Sequence, residues 1–267
     1  VTADPFDALR GLDRPIEPTT EFRNALRRRL LATLEATMHP SWLYYFTIPS
    51  RDLERSKRFY ARLFPDWKTT DNADGTGFHV DNVHPPMGVT TRVGDHPRLW
   101  FVTDDIGTTI ARVRSLGGTA DEPVTYESGA ATDCADDQGL EFSVSVPGYE
   151  SHPTRSSRAG ELFYFSLPAA DGERAKRFYG ELFGWEFGSY TGNTIVNSAP
   201  EGGLGGMKPG IHPEVWFRVD DLDVAMKVVA DAGGTSTFVG EGEEGRHAWC
   251  TDDQGFEFGI SEPSPGS

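Results

Sequence analysis

The chain repeats itself, and that repeat limits what it can fold into. "KRFYARLF" at residues 57 to 64 returns at 176 to 183 as "KRFYGELF". Around it, "YYFTIPSRDLERSKRFYARLFPDW" from residue 44 matches "FYFSLPAADGERAKRFYGELFGW" from residue 163. Each copy reads as an apolar strand, a Pro turn, an Asp and a helix. A second matched pair follows, "RLWFVTDDIGTTIARVRSLGGTA" from 98 and "EVWFRVDDLDVAMKVVADAGGTS" from 214. Asp105 and Asp221, Gly117 and Gly233, and Gly139 and Gly255 are each 116 residues apart, the last pair lying in "CADDQGLEFSVS" and "CTDDQGFEFGIS". Matched spacing over such a length indicates internal duplication.

The chain therefore parses into four strand-helix-strands units, starting near 42, 98, 162 and 214, and adjacent units pair into two modules, 41–148 and 161–262. The joint, 149–160, falls in the Pro-, Ser- and Gly-rich "PGYESHPTRSSRAG". Asp52 and Asp171 stand where a helix N-cap belongs. After them Leu53, Phe59, Tyr60, Leu63 and Phe64, and in the second copy Ala175, Phe178, Tyr179, Leu182 and Phe183, share one helical face. This predicts an α+β protein in which each copy of the helix buries the back of one module's sheet and each module encloses its own cup. The chain is then a pseudo-dimer, acting as a monomer or in a homodimer. Residues 1–40 read as a helical extension, with Phe22, Leu26, Leu30 and Leu34 at steps of four, docking on the acidic body or on another subunit. Residues 263–267 are a short tail.

Charge narrows the partners. A formal net charge of −16 and a pI of about 4.8 oppose binding to nucleic acid or to an anionic membrane. No apolar run reaches the ~18 residues of a membrane span, and the first residues lack the order of a signal peptide, so a cytoplasmic protein is expected. Cys134 and Cys250 lack metal spacing and read as reduced core residues.

The strand-Asp-helix-"FY" openings, the "DD" helix starts and the "DDQG" turns before the last strands resemble the vicinal oxygen chelate superfamily. It includes glyoxalase I, extradiol dioxygenases and bleomycin-resistance binding proteins, and the match spans about residues 41 to 262. Two-module actinobacterial glyoxalase-like proteins are the nearest look-alikes. The resemblance implies four βαβββ units paired into two glyoxalase-like modules, each with a sheet curled around a cup where a divalent metal chelates the substrate. It also implies where the metal ligands should be. Those positions hold Tyr45, Arg98 and Ser143 in the first module and Tyr164, Glu214 and Gly259 in the second. Only Glu214 could bind a metal, so no stoichiometric divalent metal is expected; a shifted carboxylate is the alternative.

Strand alternation extends these positions into two cup linings. The first is Tyr45, Thr47, Arg98, Trp100, Ser143 and Ser145; the second is Tyr164, Ser166, Glu214, Trp216, Gly259 and Ser261. Phe46, Ile48, Phe101, Phe142 and Val144, with Phe165, Leu167, Phe217, Phe258 and Ile260, face the helices instead. Aromatic rings with hydroxyls and one charge suit a flat or partly aromatic small molecule. His79 and His247 lie in strands that could face a cup, whereas His39, His84, His96, His152 and His212 neighbour Pro and read as solvated. "EGGLGGMKPG" at 201 to 210 reads as a mobile loop able to close over the second cup, which is expected to be the more occupied because Gly259 leaves room beside Glu214. Two functions fit: a metal-free binder of a metabolite or drug, or a glyoxalase-like lyase or dioxygenase. The enzyme would use atypical metal ligands, or Glu214 or His247 as a base.

Overall fold

The computed structural model describes residues 41–126, 129–148, 158–188, 192–205, 212–242 and 245–264. The expected N-terminal helix and most of the linker lie outside them. The first unit supplies β1 (Leu43–Pro49), α1 (Leu53–Leu63), β2 (Thr69–Asp71), β3 (Gly77–Val80) and β4 (Met87–Thr90). The second adds β5 (Arg98–Val102), α2 (Ile106–Ser115), β6 (Thr119–Ala120), β7 (Val124–Tyr126), β8 (Gly129–Ala135) and β9 (Glu141–Pro147). The third contains β10 (Leu162–Leu167), α3 (Gly172–Phe183), β11 (Phe187–Gly188), β12 (Thr194–Ile195) and β13 (Glu201–Leu204). The fourth contains β14 (Glu214–Arg218), α4 (Leu222–Asp231), β15 (Thr235–Gly242), β16 (Gly245–Thr251) and β17 (Glu257–Pro263).

Units one and two share one sheet, ordered β2-β3-β4-β1-β5-β9-β8-β6 with β7 on β8, and units three and four share a second, β11-β12-β13-β10-β14-β17-β16-β15. The architecture is therefore α+β with two glyoxalase-like modules. Each helix begins as its sequence dictates: the side chains of Asp52, Asp105, Asp171 and Asp221 accept the backbone N–H three residues on. After α2 and α4 the chain turns at Gly117 and Gly233, at φ of +92° and +94°, a conformation that costs a side-chain-bearing residue. No helix among the described residues is long and apolar enough to cross a membrane. "EGGL", expected in a loop, is strand β13, paired in parallel with β10. Its glycines leave space for Phe165 and Tyr164, whose rings occupy the positions that Cβ atoms on Gly202 and Gly203 would need.

The two modules share one core, and the repeated helix crosses between them. Phe59 and Tyr60 of α1 pack on Phe258 of β17, and Phe64 packs on Phe217 of β14. In the mirror arrangement Phe178 and Tyr179 of α3 pack on Phe142 of β9, and Phe183 on Phe101 of β5. The helix does bury the back of its own module's sheet, α1 lying against β4 and α3 against β13, and its rings reach the other module's sheet as well. Where Phe46 meets Phe217 and Phe101 meets Phe165, the helix-side faces of the two sheets touch directly.

The "DDQG" turn receives the incoming helix. The Asp252 carboxylate uses Oδ1 to accept from the Gln254 and Phe256 N–H groups and Oδ2 to accept from the Tyr60 hydroxyl. Asp253 pairs with Arg55, and the Gln254 side chain accepts from the Asp52 N–H and donates to its carbonyl. In the other half Asp136 takes Tyr179, Asp137 takes Arg174 and Gln138 takes the backbone of Asp171. Helix and turn are thus complementary halves of one contact, made twice. Burial pushes the thiols of Cys134 and Cys250, on the strands beside these turns, up to about 12, so both are unreactive core groups.

Candidate functional site

The face of each sheet away from the shared core carries the expected linings. Phe46, Phe101, Phe142, Phe165, Phe217 and Phe258 are fully buried in the core, whereas Tyr45, Arg98, Trp100 and Tyr164 are only half-buried. The phase taken from strand alternation holds.

On the first sheet, backbone register sets His79, Gly88, Thr47 and Arg98 in one row across β3, β4, β1 and β5. Tyr45, Trp100, Ser143 and Asp133 form the next row, across β1, β5, β9 and β8. The Tyr45 ring stands edge-on to Trp100, centroids 5.5 Å apart, and its hydroxyl lies 2.9 Å from Nδ1 of His79. Gly88 permits that reach, because a Cβ there would collide with the Tyr45 hydroxyl. Arg98 bridges Asp133 at 3.0 Å and Glu141 at 2.9 Å, and Ser143 donates to Asp133 at 2.6 Å. On the same face the Thr47 hydroxyl, on a residue 7% exposed, has no hydrogen-bond partner among the described residues. A buried hydroxyl left so costs about 1–3 kcal/mol.

The second sheet repeats the framework with other side chains. Tyr164 lies over Gly203 as Tyr45 lies over Gly88. Ser166 pairs in register with Glu214, Tyr164 with Trp216 and Trp216 with Gly259. Glu214 is buried, and the Ser166 hydroxyl donates to the Gly205 carbonyl at 2.8 Å. His247 meets Trp216 edge-on at 6.1 Å, so it does reach this face, with Trp249 tilted against the same indole at 5.0 Å. Gly259 does not leave the room expected of it. The Trp216 indole fills the space that a Cβ on Gly259 would enter, and Trp216 is only 4% exposed. Residues 206–210 of the expected lid lie outside the described residues.

The cup positions do not fit the divalent metal that the fold implies. In the first cup a guanidinium already holds the neighbouring carboxylates, and a cation placed there would meet its charge. In the second, Trp216 covers the position of Gly259 and Glu214 remains the one carboxylate among the three expected positions. Among the described residues the only cluster of three metal-ligating side chains lies elsewhere: Asp95, His96 and His212. The sequence reading left both histidines solvated, yet their rings stack in parallel with centroids 4.0 Å apart. His96 is half-buried and His212 exposed. They are equivalent positions of the repeat, 116 residues apart before Pro97 and Pro213. That equivalence was visible in the sequence; that the two would meet was not.

Comparison with known proteins agrees with the fold. A family model described as bleomycin resistance protein-like N-terminal matches residues 162–196, the opening of the second module. Proteins from Mycobacterium tuberculosis and Mycobacterium bovis, named "Putative glyoxylase CFP32", are 25% identical over 254 residues, covering 85% of this chain and 95% of theirs. Catechol 2,3-dioxygenase superposes with a TM-score of 0.58 at 15% identity, over 85% of this chain and 90% of that one. The 2,2',3-trihydroxybiphenyl 1,2-dioxygenase of Sphingomonas wittichii gives 0.58 at 14%, over 84% and 91%. These matches agree with the resemblance that the repeats carry: the chain is similar to bleomycin resistance-like and glyoxalase-like proteins and shares its fold with extradiol dioxygenases. The chain has a two-module, glyoxalase-like fold.

Proposed function

We propose that this protein binds a flat, partly aromatic small molecule on the first cup face and does so without a metal. The observation that carries this reading is the half-buried pair of Tyr45 and Trp100, set edge-on beside the Arg98 network. Rings supply a stacking surface, and a few directed polar groups fix orientation. The bleomycin resistance-like match in the other module and the loss of family ligand types at the cup positions support a binder over a metal enzyme. The second cup, named earlier as the better site, is the weaker choice because Trp216 fills it.

A metal-free enzyme is the second reading, favoured by the Tyr45–His79 contact. A phenol hydrogen-bonded to an imidazole can pass a proton to or from a ligand resting on Trp100. The test is a panel of catechols and larger planar aromatics, followed by tryptophan fluorescence, with oxygen uptake and product formation monitored in parallel. Saturable quenching that weakens in Trp100→Ala and persists in Trp216→Ala is expected. Oxygen uptake or ring cleavage lost on Glu214→Gln would replace the binder by a second-cup dioxygenase, and turnover lost on His79→Ala would establish the metal-free enzyme.

A further inference from the structure

The strongest feature outside both cup faces is the trio at the seam between the modules. His96 leads into β5 of the first module and His212 into β14 of the second, each through a proline. Duplication has brought the same repeat position together from both halves, and Asp95 adds a carboxylate 3.3 Å from Nδ1 of His96. One donor atom from each of the three lies within 4.8 Å of the other two. We propose that Asp95, His96 and His212 form a binding site for a divalent transition metal of the zinc class, which staples the two modules together.

The donor set is two imidazoles and one carboxylate, the nitrogen and oxygen chemistry that zinc accepts, with a fourth position left for water. Two bonds of about 2.1 Å at a tetrahedral angle hold donor atoms roughly 3.4 Å apart. The donors need to close by up to about 1.4 Å, a distance that rotation of side chains at the surface can cover. Without metal the stacked rings bury apolar ring faces against each other; with metal their lone pairs turn to one point. The site joins segments from the two duplicated halves, so bound metal would oppose their separation.

The experiment uses the full chain, stripped with chelator and titrated calorimetrically with zinc, alongside cobalt absorption spectra and thermal unfolding. One zinc per chain, a rise in Tm on adding zinc, and a more than tenfold loss of affinity in both His96→Ala and His212→Ala are the expected results. Asp95→Asn should weaken binding less, because an amide oxygen can still coordinate. No saturable zinc uptake by the wild-type chain overturns the site. Uptake unchanged in both histidine variants also overturns it, and if lost instead in Glu214→Gln it moves the metal into the second cup. Because all three residues are exposed or half-buried, the variants should keep the wild-type circular dichroism, and binding lost with the fold intact is the decisive outcome.

Discussion

Tyr60 donates its hydroxyl to the Asp252 carboxylate at 3.2 Å across 192 residues of sequence, and Tyr179 repeats the contact on Asp136 at 3.1 Å. Burial, reinforced by the facing carboxylates, pushes both phenols well above their ordinary range, so each acts as a donor. Removing one hydroxyl leaves a carboxylate oxygen short of a partner inside the seam. Tyr60→Phe and Tyr179→Phe should each cost about 1.5–3 kcal/mol in urea unfolding. The double variant should cost roughly the sum, as the two contacts share no residue. A cost near zero would mean that the rings, not the hydroxyls, hold the modules.

Asp252 gives this seam a pH dependence of known sign. Burial raises its pKa, with the charge of Asp253 acting the same way, against hydrogen bonds from Phe256, Gln254 and Tyr60 that lower it. The folded state therefore holds this proton more readily than the unfolded chain. The contribution to stability is greatest below the ordinary carboxylate value and is lost as pH rises through the raised folded value. Surface carboxylates such as Asp105 and Asp223, lowered by hydrogen bonds from Thr108 and Arg246, act in the opposite sense. The difference between wild type and Asp252→Asn isolates the buried group. That difference should shift in favour of the variant as pH climbs above the ordinary carboxylate range, and a flat difference would contradict the shift.

Trp216 and Gly259 offer a packing test. A methyl group at Gly259 would meet the indole, so Gly259→Ala should destabilise by about 1–3 kcal/mol or drive the ring out of the cup. A displaced indole would appear as a red-shifted emission maximum. Gly240→Ala is the control, since a Cβ there meets nothing within 4 Å. Equal stability of the two variants would show that Trp216 moves freely and that the second cup can open.

Local features were legible in the sequence, and distant meetings were not. The four Asp caps, the Gly117 and Gly233 stops and the inward-outward phase of Phe46 against Tyr45 all follow from residues within a few positions of one another. The offset of 116 showed that the halves are equivalent. It could not show that the rings of α1 reach the sheet of the other module as well as their own, because its apolar face would suit either sheet. "DDQG" read as a turn, although its Asp and Gln side chains are also the receptor for Arg55, Tyr60 and Asp52. At Gly259 the reading inferred space from a missing side chain, and the neighbouring indole took it.

Thr47 separates stability from binding. Its hydroxyl is buried and unpartnered, so the folded chain bears a desolvation cost that an isosteric methyl would remove. Valine also suits a strand, where branching at Cβ is favoured. Thr47→Val should therefore raise the midpoint of thermal unfolding, by an amount equivalent to about 1 kcal/mol. If the first cup holds the ligand through this hydroxyl, the same change should weaken binding by roughly tenfold, the loss of one hydrogen bond. Ser261→Ala is the matching change on the second cup face, where another buried hydroxyl has no partner among the described residues, and it should raise stability without altering affinity. Calorimetric titration and thermal unfolding of the two variants, with a ligand found by fluorescence, decide the matter. A more stable Thr47→Val protein with undiminished affinity would remove the hydroxyl from the site, and a loss confined to Ser261→Ala would transfer the ligand to the second module.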